Sequence, residues 1–208
     1  MKYFWFLILI VLVSAVSYSY FEFDKDSTKK NYSVNKYDKD WKKIHQTLDK
    51  KAASLDFSIL SEKEITLQDC EVRVWVTGGT TGLRGVIIQK INNESSAFLL
   101  PVSENQDEKI SVVKLAPPKD GWERVWANLE NEDIFSLPDE SEVHNPKAYN
   151  DGQSVFIESK YKGVYNIYGY SEPAASDIEQ AKKVSNIIKI ISNAFDASIY
   201  IFPEQGGL

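Results

Sequence analysis

Two histidines, one cysteine and a group of clustered carboxylates are the side chains of this sequence whose types suit chemistry, and their spacing decides which kind. His45 stands beside Ile44 in a periodic segment and His144 in a long polar stretch, with no HxxH, HxxxH or Cys/His spacing at either. Transition-metal sites draw on three or four nitrogen or sulfur ligands, so this set points away from one. Cys70, the sole cysteine, has no internal disulfide partner and no histidine close in sequence to activate it. It reads as a small buried residue at the start of a strand. Asp139, Glu140, Glu142 and Asp151 gather around one loop. Oxygen ligands of this kind suit Ca²⁺, but the DxDxDG spacing is missing, so a solvated acidic loop is expected and no metal or cofactor is assigned. Asp139, Glu140 and Glu142 are also the candidates for a carboxylate pair of the glycosidase type, which only a separation in space can define.

The segment 77–82, rich in Gly and Thr and followed by Arg84 and Gly85, invites comparison with a phosphate cradle. Such a cradle leads into a helix N-terminus or carries a Lys at the P-loop spacing. Here the next run is strand-like and that Lys is absent, so a hairpin turn is expected. No GxSxG, SxxK or local Cys/His signature marks a nucleophile. The aromatic content has more functional pull, with eleven Tyr, ten Phe and five Trp. Tyr161, Tyr165, Tyr168 and Tyr170 crowd one stretch, and rigid rings with polar tips are enriched at interfaces. Alternation along a strand sends part of such a set into the core and part outward. Tyr165, Tyr168 and Tyr170 together with Asp139, Glu140 and Glu142 form the candidate binding set, while Trp75, Trp122 and Trp126 are expected in the core.

These residues need elements to hold them. Trp41, Ile44, Leu48, Ala52 and Leu55 recur at spacings of three and four, predicting an amphipathic helix over 39–55. Alternating, β-branched runs predict strands over 71–76, 85–91, 97–102 and 109–115, joined by short connections and therefore antiparallel. Trp122, Val125, Trp126 and Leu129 give a short helix, and 154–159 with 164–170 give a further hairpin. Ile178, Ala181, Val184, Ile188, Ile191 and Phe195 mark one face of a long final helix, with Ser176 and Glu179 placed as a capping box. Residues 197–202 suit a closing edge strand. The expectation is α+β: an antiparallel sheet of about six or seven strands built from hairpins, with an N-terminal, a middle and a long C-terminal helix packed on one face.

Residues 3–20 contain no charged side chain and 4–13 are wholly apolar, after a single Lys2. Ala15 and Ser17 place small residues at the −3 and −1 positions of a cut, so residues 1–17 are expected to act as a signal peptide. The alternative is an uncleaved anchor, because 18 uncharged residues is near the lower limit of about 17–25 for a spanning helix. Residues 18–38 read as a polar tether and 39–208 as a single domain placed in the periplasm or outside the cell. The formal charge is −6, and loss of Lys2 with the signal takes it to −7. Such an acidic domain is repelled by phosphate backbones and anionic lipid, which argues against nucleic acid and leaves membrane contact to the N-terminal segment alone.

The stretch 122–129, then Ile134, Phe135, Ser136, Leu137, Pro138, Asp139, Glu140 and Ser141, then Asp151 and Gly152 with Ile157, Glu158, 165–170 and Pro173, resembles a pattern in small exported bacterial proteins of uncharacterised function. The resemblance covers about 71–195. It implies a bacterial envelope setting and carries over no catalytic or binding residue. The expectation is a non-enzymatic exported domain that binds a protein partner, one form being a neutraliser of a basic toxin or hydrolase. The alternatives are a carboxylate-dependent hydrolase of envelope polymer and a membrane-tethered accessory protein.

Overall fold

The computed structural model describes residues 38–78, 82–100, 111–143 and 152–196. The signal or anchor segment, nearly all of the tether, His144, Asp151 and the strand expected over 197–202 lie outside the described residues. The chain divides into two compact units, Met1–Ile44 and His45–Leu208. Of the first, only 38–44 is described, as the opening turns of a helix.

Among the described residues, six antiparallel strands form one sheet: β1 (Cys70–Thr77), β2 (Arg84–Ile91), β3 (Glu94–Leu100), β4 (Val113–Lys114), β5 (Ser154–Tyr161) and β6 (Val164–Ser171), in the order β4-β3-β2-β1-β5-β6. Four α-helices among the described residues accompany it: α1 (Asp38–Ser54), α2 (Trp122–Asn131), α3 (Glu140–Val143) and α4 (Glu179–Phe195). The α+β class and the hairpin-built sheet are those the sequence pattern predicts. Several details depart from it, and among the described residues the strand expected over 109–115 is only Val113–Lys114. The third strand begins at Glu94, three residues early, because Asn92 and Asn93 adopt positive φ angles of 53° and 65° and close a two-residue turn from β2. The capping box does not form: Ile178 is the N-cap, and the Ser176 hydroxyl accepts the Ile178 N–H at 3.3 Å instead.

Each helix end has a local cause. Asp56 takes a left-handed φ of 64° while Phe57 donates its N–H back to the Ala52 carbonyl at 3.0 Å, which closes α1. Asp133 does the same after α2, with φ 57° and the Ile134 N–H on the Leu129 carbonyl. Lys162 and Gly163, at φ 51° and 78°, form the two-residue turn between β5 and β6.

The sheet buries both faces. On the first, Val72, Val74, Val86, Ile88, Ala97 and Ile157 pack with Val125, Trp126 and Leu129 of α2 and with Val184, Ile187, Ile188 and Ile191 of α4. The second carries Trp75, Ile87, Leu100 and a row of charged side chains, covered by Leu48, Ala52 and Leu55 of α1 and by Leu60 of the following segment. Placement of all three helices on one face is therefore corrected: α1 lies on the face opposite α2 and α4. The physical reason is that the central strands β2 and β1 carry large apolar side chains on both faces, Val72, Val74, Val86 and Ile88 on one and Trp75 and Ile87 on the other, so neither face can be left to water. Gly85 fits this crowding, since a Cβ there would stand 2.7 Å from the Val74 carbonyl oxygen and 2.9 Å from the Trp75 ring.

Candidate functional site

Alternation separates the hairpin tyrosines. Tyr168 and Tyr170, 0% and 1% exposed, point into the first core and donate their hydroxyls to the carbonyls of Ile134 and Pro138, both at 2.9 Å. Burial raises both phenols above their usual range, so each remains a donor. Asp139 accepts the Gly169 N–H at 2.9 Å and Glu140 accepts the Ser171 N–H at 2.9 Å. These N–H groups are two residues apart and project from the outer edge of β6, so the two carboxylates stand where a neighbouring strand would otherwise pair. Asn166 adds bonds to the carbonyls of Phe135 and Leu137. The structure thus brings Asp139, Glu140, Tyr168 and Tyr170 together as the clasp between residues 134–140 and β6. Glu142 is exposed on α3, and Tyr165 goes to the other face of the sheet.

That second face holds a charged cluster beneath α1. Glu71 and Arg73 of β1 lie opposite Lys160 and Glu158 of β5, each charge facing its opposite across the strands. All four are buried, with exposures of 0%, 1%, 8% and 2% in that order. Glu71 accepts from Arg73 at 2.7 Å and from Lys63; the Arg73 guanidinium also donates to the Ser58 carbonyl at 2.7 Å. Glu158 accepts from the Trp75 indole at 2.6 Å and from the Tyr165 hydroxyl at 2.9 Å. Lys160 donates to the Ser61 carbonyl at 2.8 Å. One guanidinium nitrogen, Arg73 Nη1, has no hydrogen-bond partner among the described residues. Above the cluster, the His45 ring meets the Tyr165 ring edge-on, with centroids 6.3 Å apart, and Asp49 interacts with both His45 and Arg73.

Burial pushes the Glu158 carboxyl upward, against the lowering by Arg73 and by its two hydrogen bonds. Burial lowers His45, against the raising by Asp49. Cys70, 6% exposed, is pushed up to about 11 by burial and sits in the first core. The sequence held a signal for this cluster: Glu-x-Arg in one strand and Glu-x-Lys in another place complementary charges on one face when the two strands run antiparallel.

A third feature opens to solvent at the tip of the β5–β6 hairpin. A groove of about 410 Å³ is lined by Glu130, Asp133, Phe135, Ser136, Tyr161, Lys162 and Val164. The Phe135 and Tyr161 rings stack with centroids 4.5 Å apart at 20°, and Lys162 Nζ lies 4.9 Å from the Tyr161 centroid. Val164 is 56% exposed, unusual for a β-branched residue. Asp133 is held by Lys183 at 2.5 Å. Tyr161 belongs to the tyrosine cluster and Phe135 and Ser136 to the stretch that carries the resemblance, but the sequence does not bring them together, because the groove joins the end of α2 to a hairpin about 30 residues away.

Among the described residues, no three His, Cys, Asp or Glu side chains come together as a metal site, and no helix is long and apolar enough to cross a membrane. No family model matches the chain, and no curated protein matches it significantly.

Proposed function

We propose that this is an exported bacterial domain, non-enzymatic, that binds a protein partner through the groove at the β5–β6 tip. The observation that carries the reading is the groove itself: stacked Phe135 and Tyr161 with exposed Val164 offer a rigid apolar platform, framed by Glu130, Asp133 and Lys162. Preformed aromatic surface with a polar rim is what anchors a protein interface at low entropic cost. The chain's charge of −6 favours a basic partner by speeding encounter. Export is proposed from the apolar residues 4–13 after Lys2 and the small residues at 15 and 17.

The hydrolase reading finds no comparable support. Asp139 and Glu140 hold backbone N–H groups of β6, and Glu71 and Glu158 lie where substrate cannot reach them. The test is a photo-crosslinking residue in place of Val164, introduced into the full-length chain in the producing cell. The expected result is one discrete basic protein adduct that disappears when Tyr161→Ala is added. Absence of any adduct, or an adduct indifferent to Tyr161→Ala with the fold intact, overturns the reading.

A further inference from the structure

The end of α2 gathers three carboxylates, Glu130, Glu132 and Asp133, and two of them are served from within the chain. Lys183 holds Asp133 at 2.5 Å, and Asn186 donates to Glu132 at 3.3 Å. Glu130 makes no hydrogen bond or ion pair through its side chain among the described residues, and it lines the groove at the β5–β6 tip. It also stands in the last turn of α2, which carries no basic residue. The helix dipole places partial negative charge at that end, so a carboxylate is disfavoured there and a cation is favoured.

In the same groove the stacked Phe135 and Tyr161 rings offer a flat aromatic surface, and a cation already uses it: Lys162 Nζ lies over the Tyr161 ring at 4.9 Å from its centroid. Lys162 is exposed and forms no ion pair with Glu130 or with any other described carboxylate. The ammonium therefore meets the ring and leaves the carboxylate bare. The groove presents two attractions for positive charge, one aromatic and one ionic, and no side chain of the described chain satisfies both.

Resting on the reading of this groove as a protein interface, we infer that its occupant is an arginine side chain of the partner. A guanidinium is planar and delocalised, so it stacks on an aromatic face while the N–H groups along its edge pair with a carboxylate; a lysine ammonium is a point charge without that double geometry. In the groove it lies against the Phe135 and Tyr161 rings, takes the place of Lys162 and donates to Glu130. Lys162 gives way readily, because an exposed cation held by a ring alone is held weakly. An apolar side chain would leave Glu130 unpaired at the helix end, and an acidic one would be repelled by it. The partner is accordingly a basic protein whose contact surface presents an arginine.

NMR titration of the full-length chain tests this, with the acetylated and amidated peptide Gly-Gly-Arg-Gly-Gly as probe and its lysine and citrulline counterparts as comparisons. The arginine peptide is expected to shift the amide resonances of 130–136 and 161–164. It should bind about three- to tenfold more tightly than the citrulline peptide, the scale of an exposed ion pair and an exposed cation–aromatic contact together, and at least about twofold more tightly than the lysine peptide. Glu130→Gln, an exposed substitution that leaves both cores untouched, erases the preference over lysine. Lys162→Ala clears the ring and binds the arginine peptide at least as tightly as wild type. No saturable shift, equal binding of the arginine and citrulline peptides, a preference over lysine that survives Glu130→Gln, or weaker binding in Lys162→Ala overturns the proposal. Crosslinking from position 164 separates it from the reading it rests on. A partner adduct without arginine preference keeps the interface and removes the arginine anchor, whereas arginine preference without an adduct keeps the anchor chemistry and removes the cellular partner.

Discussion

Arg73→Met is the most demanding test of how the second face is held. Arg73 is 1% exposed and donates to Glu71 and to the Ser58 carbonyl, both at 2.7 Å. Methionine preserves much of the aliphatic volume, so the loss registers charge and hydrogen bonding more than a cavity. Removing one partner of a buried ion pair costs about 3–5 kcal/mol, because the other charge is left desolvated. Here Lys63 still reaches Glu71, which argues for the lower end, about 3 kcal/mol. For a chain of this size that corresponds to a fall in Tm of about 6–12 °C. Urea unfolding followed by tryptophan fluorescence is a suitable assay, since buried Trp75 donates to Glu158 within the same cluster. Adding Glu71→Leu removes the stranded charge and should restore at least about 1 kcal/mol of what the single substitution lost. A single substitution within about 1 kcal/mol of wild type, additive with Glu71→Leu, would refute the account of this face as a coupled ionic network.

Asp139→Ala together with Glu140→Ala should cost about 2–5 kcal/mol, from two hydrogen bonds with charged acceptors, and should also expose the edge of β6. Sedimentation and urea unfolding would read this as lower stability with self-association; a stable monomer would show that the carboxylates do not guard the edge. Cys70, pushed up to about 11 by burial, should resist a thiol reagent at pH 8 in the folded chain and react fully once it is unfolded in urea. Rapid labelling of the native chain would show that the first core opens there.

Local patterning alone fixes much of this molecule. Apolar spacing of three and four in 41–55, 122–129 and 178–195, and alternation in β1, β5 and β6, specify element type with little help from the rest of the chain, because the side-chain periods of helix and strand differ. The burial of Cys70 also follows from its place at the start of an apolar alternating run. Turn chemistry was partly legible: Lys162 and Gly163 mark one hairpin, whereas Asn92 and Asn93 mark another only once their positive φ angles are known.

Strand order decided the rest. Because β5 returns to pair with β1, the central strands need cover on both faces, and α1 takes the face that an alternating sequence would assign to solvent. Glu71, Arg73, Glu158 and Lys160 read singly as exposed polar positions; register alone sets each charge against its opposite and makes their burial tolerable. Likewise, the aromatic and acidic character of Tyr168, Tyr170, Asp139 and Glu140 is visible in the sequence, but their mutual clasp depends on residues 134–140 running beside the edge of β6. Periodicity says which side of an element is apolar, and only the long-range contacts say what lies against the other side.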